Sequence, residues 1–402
     1  GSRFTGPNHA SPVVMLDDST HWIIHPLYAK GEWRGQGRQG LMNQVRYDAS
    51  LKPVADYPVN RFFNAPDLPG SGIPWMVPKS DFFTAENMNP EWSFLGHTLE
   101  NTHSLTDRPG WLRLSPKSGT KGNFISKNDG EHNYSLITKL DFDAKSAYEE
   151  AGLQIMRGDE NMAIKLYSSV NEHSHHVIVF CFNDTRYEAE NTAGNTVWLK
   201  INRVNHIITG YFSKNGHKWV QVGQSFDIEA IDSYSDFSSF TGTRQGLYVL
   251  GNSAFFDLYI YRDAYTPILA ECPANQYGTV PATKTDGIYQ LDSIHHNDWV
   301  LYAGVEFGNN EYLKVPKEIE INASSGGSGG TVEVWLDSIA TGIKVAECAI
   351  SNTGDWNTFE TFKAAVSKVQ GRHDVYLRFT GVETGRLFKL KWIQFVSERA
   401  SE

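Results

Sequence analysis

Along most of the chain apolar side chains recur at every second position, the period of a strand with one buried face. Residues 196–223 show it best. Val197, Leu199 and Ile201 alternate with polar neighbours, and a second strand follows through Tyr211. Asn215-Gly216 then stands where a tight type I′ hairpin turn fits, before Trp219, Val220 and Val222. Residues 331–336 and 374–379 alternate in the same way. Helical periodicity is thin: residues 145–152 suit a turn or two, and residues 361–369 fit either period. The pattern predicts an all-β protein.

Texture divides the chain. Residues 1–60 carry one strand pair, 21–28 and 40–47. Residues 61–79 are rich in Pro, Gly and Asn (Pro66, Pro69, Gly70, Gly72, Pro74, Pro78) and read as a linker packed over a surface. A first sandwich is expected over 80–263 and a second over 266–398. The run Ser324-Ser325-Gly326-Gly327-Ser328-Gly329-Gly330 has linker composition, yet it falls between two strongly alternating strands. It therefore reads as a loop inside the second sandwich. No internal repeat is visible.

With 402 residues, two or three cores are affordable in surface terms. Aromatics reach 13%, which serves both pleated strands and the flat faces of sugar rings. A formal charge of −10 argues against nucleic acid as a partner, because phosphate binding needs clustered Lys and Arg. The longest apolar runs, such as 177–182, fall far short of the roughly 18 residues that span a membrane. Cys181, Cys272 and Cys348 form no CxxC pair. They leave open a Cys272–Cys348 bridge or three free thiols.

The sequence holds no P-loop, no dinucleotide-binding glycine motif, no nucleophile elbow and no HExxH. His173, His175 and His176 lack an acidic or thiol partner in an evident motif and read as an exposed loop. His295 and His296 would point to opposite faces of a strand.

Three blocks carry a resemblance. The first is Gly6-Pro7-Asn8-His9-Ala10-Ser11-Pro12, Trp22-Ile23-Ile24-His25 and Gly37-Arg38-Gln39. Its order resembles the last blade of the five-bladed propeller of family 43 glycoside hydrolases. That resemblance places His9 near the propeller axis, holding a central water or calcium. It sends Arg38 to the substrate pocket, where its guanidinium fork would orient a carboxylate and a sugar hydroxyl.

The second block runs from Ser104-Leu105-Thr106-Asp107-Arg108-Pro109-Gly110-Trp111 through Leu136-Ile137-Thr138-Lys139, Ala151-Gly152-Leu153-Gln154 and Gly246-Leu247-Tyr248. It is similar to the concanavalin A-like sandwich that follows the propeller in many family 43 β-xylosidases and arabinofuranosidases. These positions are core and turn residues, and none is chemically catalytic.

The third block, with Asn297-Asp298-Trp299-Val300, Asn352-Thr353-Gly354-Asp355-Trp356 and Leu387-Phe388-Lys389-Leu390, is similar to family 6 carbohydrate-binding modules. Those jelly rolls offer two sugar sites, one in the loops at an end and one on a sheet face. In the loop site the family stacks a sugar between a Tyr and a Trp and adds an Asn. This chain keeps Trp356, but Ser293 and Lys389 stand where the Tyr and Asn fall. Trp299 corresponds to an aromatic of the face site, or to core. The resemblance also implies a structural calcium near Glu271, against which Lys391 stands, since a charged lysine cannot ligate the ion.

The full expectation is an all-β chain: an incomplete propeller sector, then concanavalin A-like and jelly-roll sandwiches. Family 43 enzymes invert, with one carboxylate activating water and another protonating the leaving oxygen. By resemblance that pair comes from earlier blades, before residue 1. The chain then reads as the accessory, carbohydrate-binding part of a secreted, periplasmic or cell-surface enzyme acting on xylan or arabinoxylan, inactive without those missing blades. A stand-alone carbohydrate-binding protein and an enzyme with an unfamiliar site are the competing classes.

Overall fold

The structure, a computed structural model, describes residues 4–16, 19–55, 75, 79–94, 102–117, 122–158, 162–234, 242–271, 273–281, 290–309 and 314–397. Of the 61–79 linker only residues 75 and 79 fall within this set, and Cys272 lies outside it. Among the described residues regular structure is almost all strand. The exceptions are a 3-10 segment, Gly31–Gln36, and a short helix, Glu229–Asp232. No described helix is long and apolar enough to cross a membrane. Both ambiguous stretches resolve without helix: residues 146–148 form a bend and turn before the strand Glu150–Arg157, and Glu360–Ala365 is a strand.

The chain divides into two compact units, residues 29–38 with 78–262, and residues 1–28 with 39–77 and 263–402. In the latter a small sheet runs Phe4–Thr5, His21–Ala29, Arg38–Tyr47, Pro53–Ala55, with Val14–Met15 on its second strand. Trp22 and Val45 are buried in it, and His25 Nε2 lies 2.9 Å from Asn43 Oδ1. His25 is thus a core histidine satisfied across the sheet.

Residues 80–262 fold as two stacked sheets. One runs Thr185–Glu190, His176–Phe182, Ala163–Val170, Glu150–Arg157, Thr243–Leu250, Asn123–Asn128, Ser93–Phe94. The other is built around Asn133–Asp141 between Thr196–Val204 and Ala254–Tyr261. Period-2 patterning sends Leu153, Ile155, Leu166 and Phe180 inward against Leu136, Leu199, Ile201 and Phe256, all fully buried. The Ser104–Trp111 string is a folded turn: Arg108 stacks 3.6 Å over Trp111 and bonds Asp141 at 2.6 Å, while Arg113 pairs with Asp107.

The hairpin prediction needs correction. Asn215-Gly216 does not close a tight turn, because the flanking strands end at Ser213 and resume at Val220. Asn215 Oδ1 instead accepts from the His217 and Lys218 amides, and Ser213 Oγ from those of Asn215 and Gly216. These side-chain bonds stabilise a wider loop. The tight connection lies one hairpin earlier, at Asn205-His206, with Asn205 in the left-handed region at φ 52°.

One end of this sandwich is a buried charge cluster. Arg203, fully buried, reaches Asp129 at 2.9 Å and Asp232 at 2.6 Å. His206 Nδ1 sits 2.8 Å from the same Asp232 oxygen, and Tyr134 donates to Asp129. Trp33, from the 3-10 segment, stacks between the rings of His132 and His206 at 3.5 and 4.2 Å. A side chain at Gly35 would fall 2.2 Å from the Ile231 carbonyl, so only glycine lets the segment approach this closely.

Burial pushes the Asp129 carboxyl up to about 6, against the pull of Arg203. A carboxyl raised by folding stabilises below its ordinary range and loses that contribution as pH climbs through 6. Asp129→Asn should therefore gain stability relative to the parent, by about 1–3 kcal/mol, between about pH 4 and pH 7. Calorimetric melting of both proteins across that range checks it; a pH-independent difference would contradict it.

Residues 263–397 form the second sandwich. Its five-stranded sheet runs Asn275–Tyr277, Trp299–Glu306, Arg372–Thr380, Gly330–Leu336, Ile343–Ile350. The opposing sheet centres on Pro316–Ser324 and Lys389–Ser397. Val300, Leu377 and Val334 from the first meet Ile319, Ile321, Leu390 and Phe395 from the second. The Ser/Gly-rich run is indeed an internal loop, and a fixed one: Ser325 is buried and donates to the Leu387 carbonyl. Cys348 is a buried free thiol, so it forms no bridge with Cys272.

Candidate functional site

Two surfaces of the second sandwich collect aromatic side chains. The first is its loop end, around Trp356. Asp355 accepts from the Asn357 and Thr358 amides, which hold its carboxyl below the usual range. Asn352 donates to the Gly327 carbonyl, and Ser324 Oγ to that of Trp356. A side chain at Gly326 would fall 2.7 Å from Trp356 Nε1, so this glycine permits the backbone to back onto the indole.

Arg386 stacks over the same ring at 3.6 Å and is anchored by Asp292 at 2.9 Å. Lys389 reaches Asn357 at 3.3 Å and stands 3.9 Å from Asp292. Ser293 follows Asp292 directly, with its own backbone left-handed at φ 54°. The structure thus gathers Trp356 and Lys389 around Asp292, the neighbour of Ser293. It adds Arg386, which sequence reasoning did not single out, on the aromatic surface.

The second surface is the outer face of the five-stranded sheet. Strand register sets Tyr277, Trp299, Arg378, Glu333 and Glu347 in one cross-strand row. Asn275, Leu301, Tyr376, Trp335 and Lys344 form the next. Neighbouring Val300, Leu377 and Val334 point into the core, so these side chains point out. Trp299 is therefore an outward residue, half-buried among its neighbours, with its ring centroid 5.9 Å from that of Tyr376.

Tyr277 is 49% exposed. Polar partners frame the rings: Trp335 donates to Glu333 at 3.0 Å, Arg378 to Asn297 at 2.7 Å, and Lys344 bonds Glu347 at 2.6 Å. Burial raises the Tyr376 phenol, whose hydroxyl accepts from the Trp75 indole. Flat apolar rings edged by donors and acceptors match the alternating faces and rims of sugar rings.

The remaining candidates lie elsewhere. His9 is exposed, with a left-handed backbone at φ 42°, and Arg38 opens the Arg38–Tyr47 strand half-buried. His295 contacts the Ser293 carbonyl within its own turn, and His296 accepts from the Gly381 amide of a distant loop. Among the described residues no three His, Cys, Asp or Glu side chains group to hold a metal. Glu271 is buried, and the Lys391 ammonium lies 4.2 Å over the Phe359 ring.

Comparison with known proteins agrees with this anatomy. The profile described as "Beta xylosidase C-terminal Concanavalin A-like domain" matches residues 80–262, and "Carbohydrate binding module (family 6)" matches residues 269–397. A non-reducing end α-L-arabinofuranosidase of Bacteroides ovatus is 29% identical over 170 residues, 39% of this chain and 31% of the relative. A β-xylosidase of Formosa agariphila is 25% identical over 279 residues, 59% of this chain and 44% of the relative. The chain thus matches less than half the length of either. The crystal structure of a family 43 protein from Bacillus licheniformis superposes with a TM-score of 0.57 at 21% identity, covering 65% of this chain and 54% of that one, a likeness of fold. Residues 80–262 belong to the concanavalin A-like C-terminal domains of the β-xylosidases, and residues 269–397 to the family 6 carbohydrate-binding modules.

Proposed function

We propose that this chain is the carbohydrate-binding and accessory portion of a secreted xylan- or arabinoxylan-degrading glycoside hydrolase, of inverting β-xylosidase or α-L-arabinofuranosidase type. The observation that carries the reading is a family 6 module whose outer sheet face presents Trp299, Tyr376, Trp335 and Tyr277 together. The relatives' names supply the sugars, arabinofuranose and xylose, and these support xylan or arabinoxylan as the polymer.

Of the two surfaces, the sheet face is the better platform. At the loop end Arg386 already stacks on Trp356, so a sugar must displace a cation held by Asp292. On the sheet face Trp299 has no such cover among the described contacts. Residues 1–60 are assigned to the last propeller blade, with His9 toward its axis and Arg38 toward the substrate pocket. The catalytic carboxylate pair is assigned to blades outside this sequence.

Affinity electrophoresis in arabinoxylan gels, paired with release assays on nitrophenyl xyloside and arabinofuranoside, tests the whole reading. The chain should be retarded by the polymer and release nothing. Unretarded migration would overturn the binding role. Hydrolysis by this chain would overturn the placement of the catalytic pair.

A further inference from the structure

One exposed indole from outside the module reaches its sheet face. Trp75 belongs to the Pro- and Gly-rich stretch 61–79, far in sequence from residues 269–397, yet it falls in the same compact unit as they do. Its indole N–H donates to the Tyr376 hydroxyl. Tyr376 points out of the sheet and its hydroxyl is the tip of the side chain, so an indole bonded there stands clear of the backbone, at the outer surface of the face.

Trp75 is 55% exposed. Among the described residues of 263–397 only Tyr277, at 49%, is a comparably open aromatic, and register sets it in the row of Trp299. Both open rings thus flank one surface, where Trp299 and Tyr376 stand 5.9 Å apart between centroids.

A ring that served only to pin its own segment would gain most by burying its faces, because burial of an indole outweighs one neutral hydrogen bond. Trp75 does the reverse. Its polar edge is satisfied by Tyr376 while more than half of its surface meets water. Open apolar faces with a satisfied N–H suit the C–H face of a pyranose. Among the described contacts no cation covers this ring, whereas Arg386 covers Trp356.

We infer, resting on the sheet-face reading proposed above, that Trp75 is a further sugar-stacking residue of that site. The site is then composite: Trp299 and Tyr376 come from the module, and an outlying ring comes from the segment before the first sandwich. Its ligand is a neutral xylo-oligosaccharide long enough to reach past Tyr376. Residues 263–397 alone would lack this contact.

Indole oxidation gives a local test in the full chain. N-bromosuccinimide is applied with and without xylohexaose, and oxidation of Trp75 is mapped by peptide mass spectrometry. Xylohexaose at a concentration that saturates its binding heat should slow Trp75 oxidation several-fold. Trp299→Ala should raise the half-protecting concentration, and Trp356→Ala should leave it unchanged. In titration calorimetry Trp75→Ala should weaken xylohexaose binding about three- to tenfold, the scale of one ring–sugar stack, at parental melting temperature. Full-rate oxidation of Trp75 under saturating xylohexaose would overturn the inference and leave the sheet-face reading standing. So would parental or tighter binding by Trp75→Ala, the mark of a structural pin or of a cover over the face. Protection that follows Trp356 in place of Trp299, or a parent chain that gives no binding heat, would overturn both.

Discussion

Arg203→Ala is expected to destabilise the 80–262 sandwich by about 3–5 kcal/mol, the usual cost of leaving a buried charge without its partner. Arg203 is fully buried and bridges Asp129 and Asp232. Its removal strands two carboxylates in a site whose burial already pushes Asp129 up to about 6 against the pull of Arg203. The loss should be electrostatic rather than steric. Arg203→Met combined with Asp129→Asn and Asp232→Asn should recover most of it, because neutral groups need no counter-charge. Calorimetry resolving the two units would show the transition of residues 78–262 falling while that of residues 263–397 stays in place. A loss below about 1 kcal/mol in Arg203→Ala would mean that water or rearrangement compensates the acids.

That cluster was not legible in the sequence. Arg203 sits in an ordinary strand and Asp232 ends a four-residue helix, and Trp33 meets His132 and His206 only through the three-dimensional docking of the 3-10 segment. By contrast, the strand content was legible, because a half-buried strand writes its burial directly into a period of two: Val197, Leu199 and Ile201 all point inward. Turn chemistry was half legible. Asn215-Gly216 signalled a turn, but the caps from Ser213 and Asn215 widened it, and the tight turn fell on Asn205, whose tolerance of left-handed backbone was the available clue.

The sites divide in the same way. Trp356 stood out by its loop motif, yet Arg386, thirty positions on, covers its ring, a contact that depends on Asp292 and not on spacing. Trp299 was visible, while its companions Tyr376 and Trp335 were not, because register alone brings them into adjacent rows.

Trp299→Ala should carry the largest loss of polysaccharide affinity in the chain, about 1–3 kcal/mol or about five- to 150-fold. The indole points out of the core, so its truncation removes a stacking surface without opening a cavity; melting should change by less than about 1 kcal/mol. Trp356 contrasts with it. Its ring already stacks against Arg386 and backs onto Gly326, so truncation there should cost loop stability more than affinity. Isothermal titration of the full chain with soluble arabinoxylan, comparing the parent with Trp299→Ala and Trp356→Ala, tests the central claim most directly. The sheet-face account predicts that Trp299→Ala loses most of the binding heat at parental stability while Trp356→Ala binds as the parent does. Parental binding by Trp299→Ala, with binding lost in Trp356→Ala, would contradict it and move the sugar to the loop end.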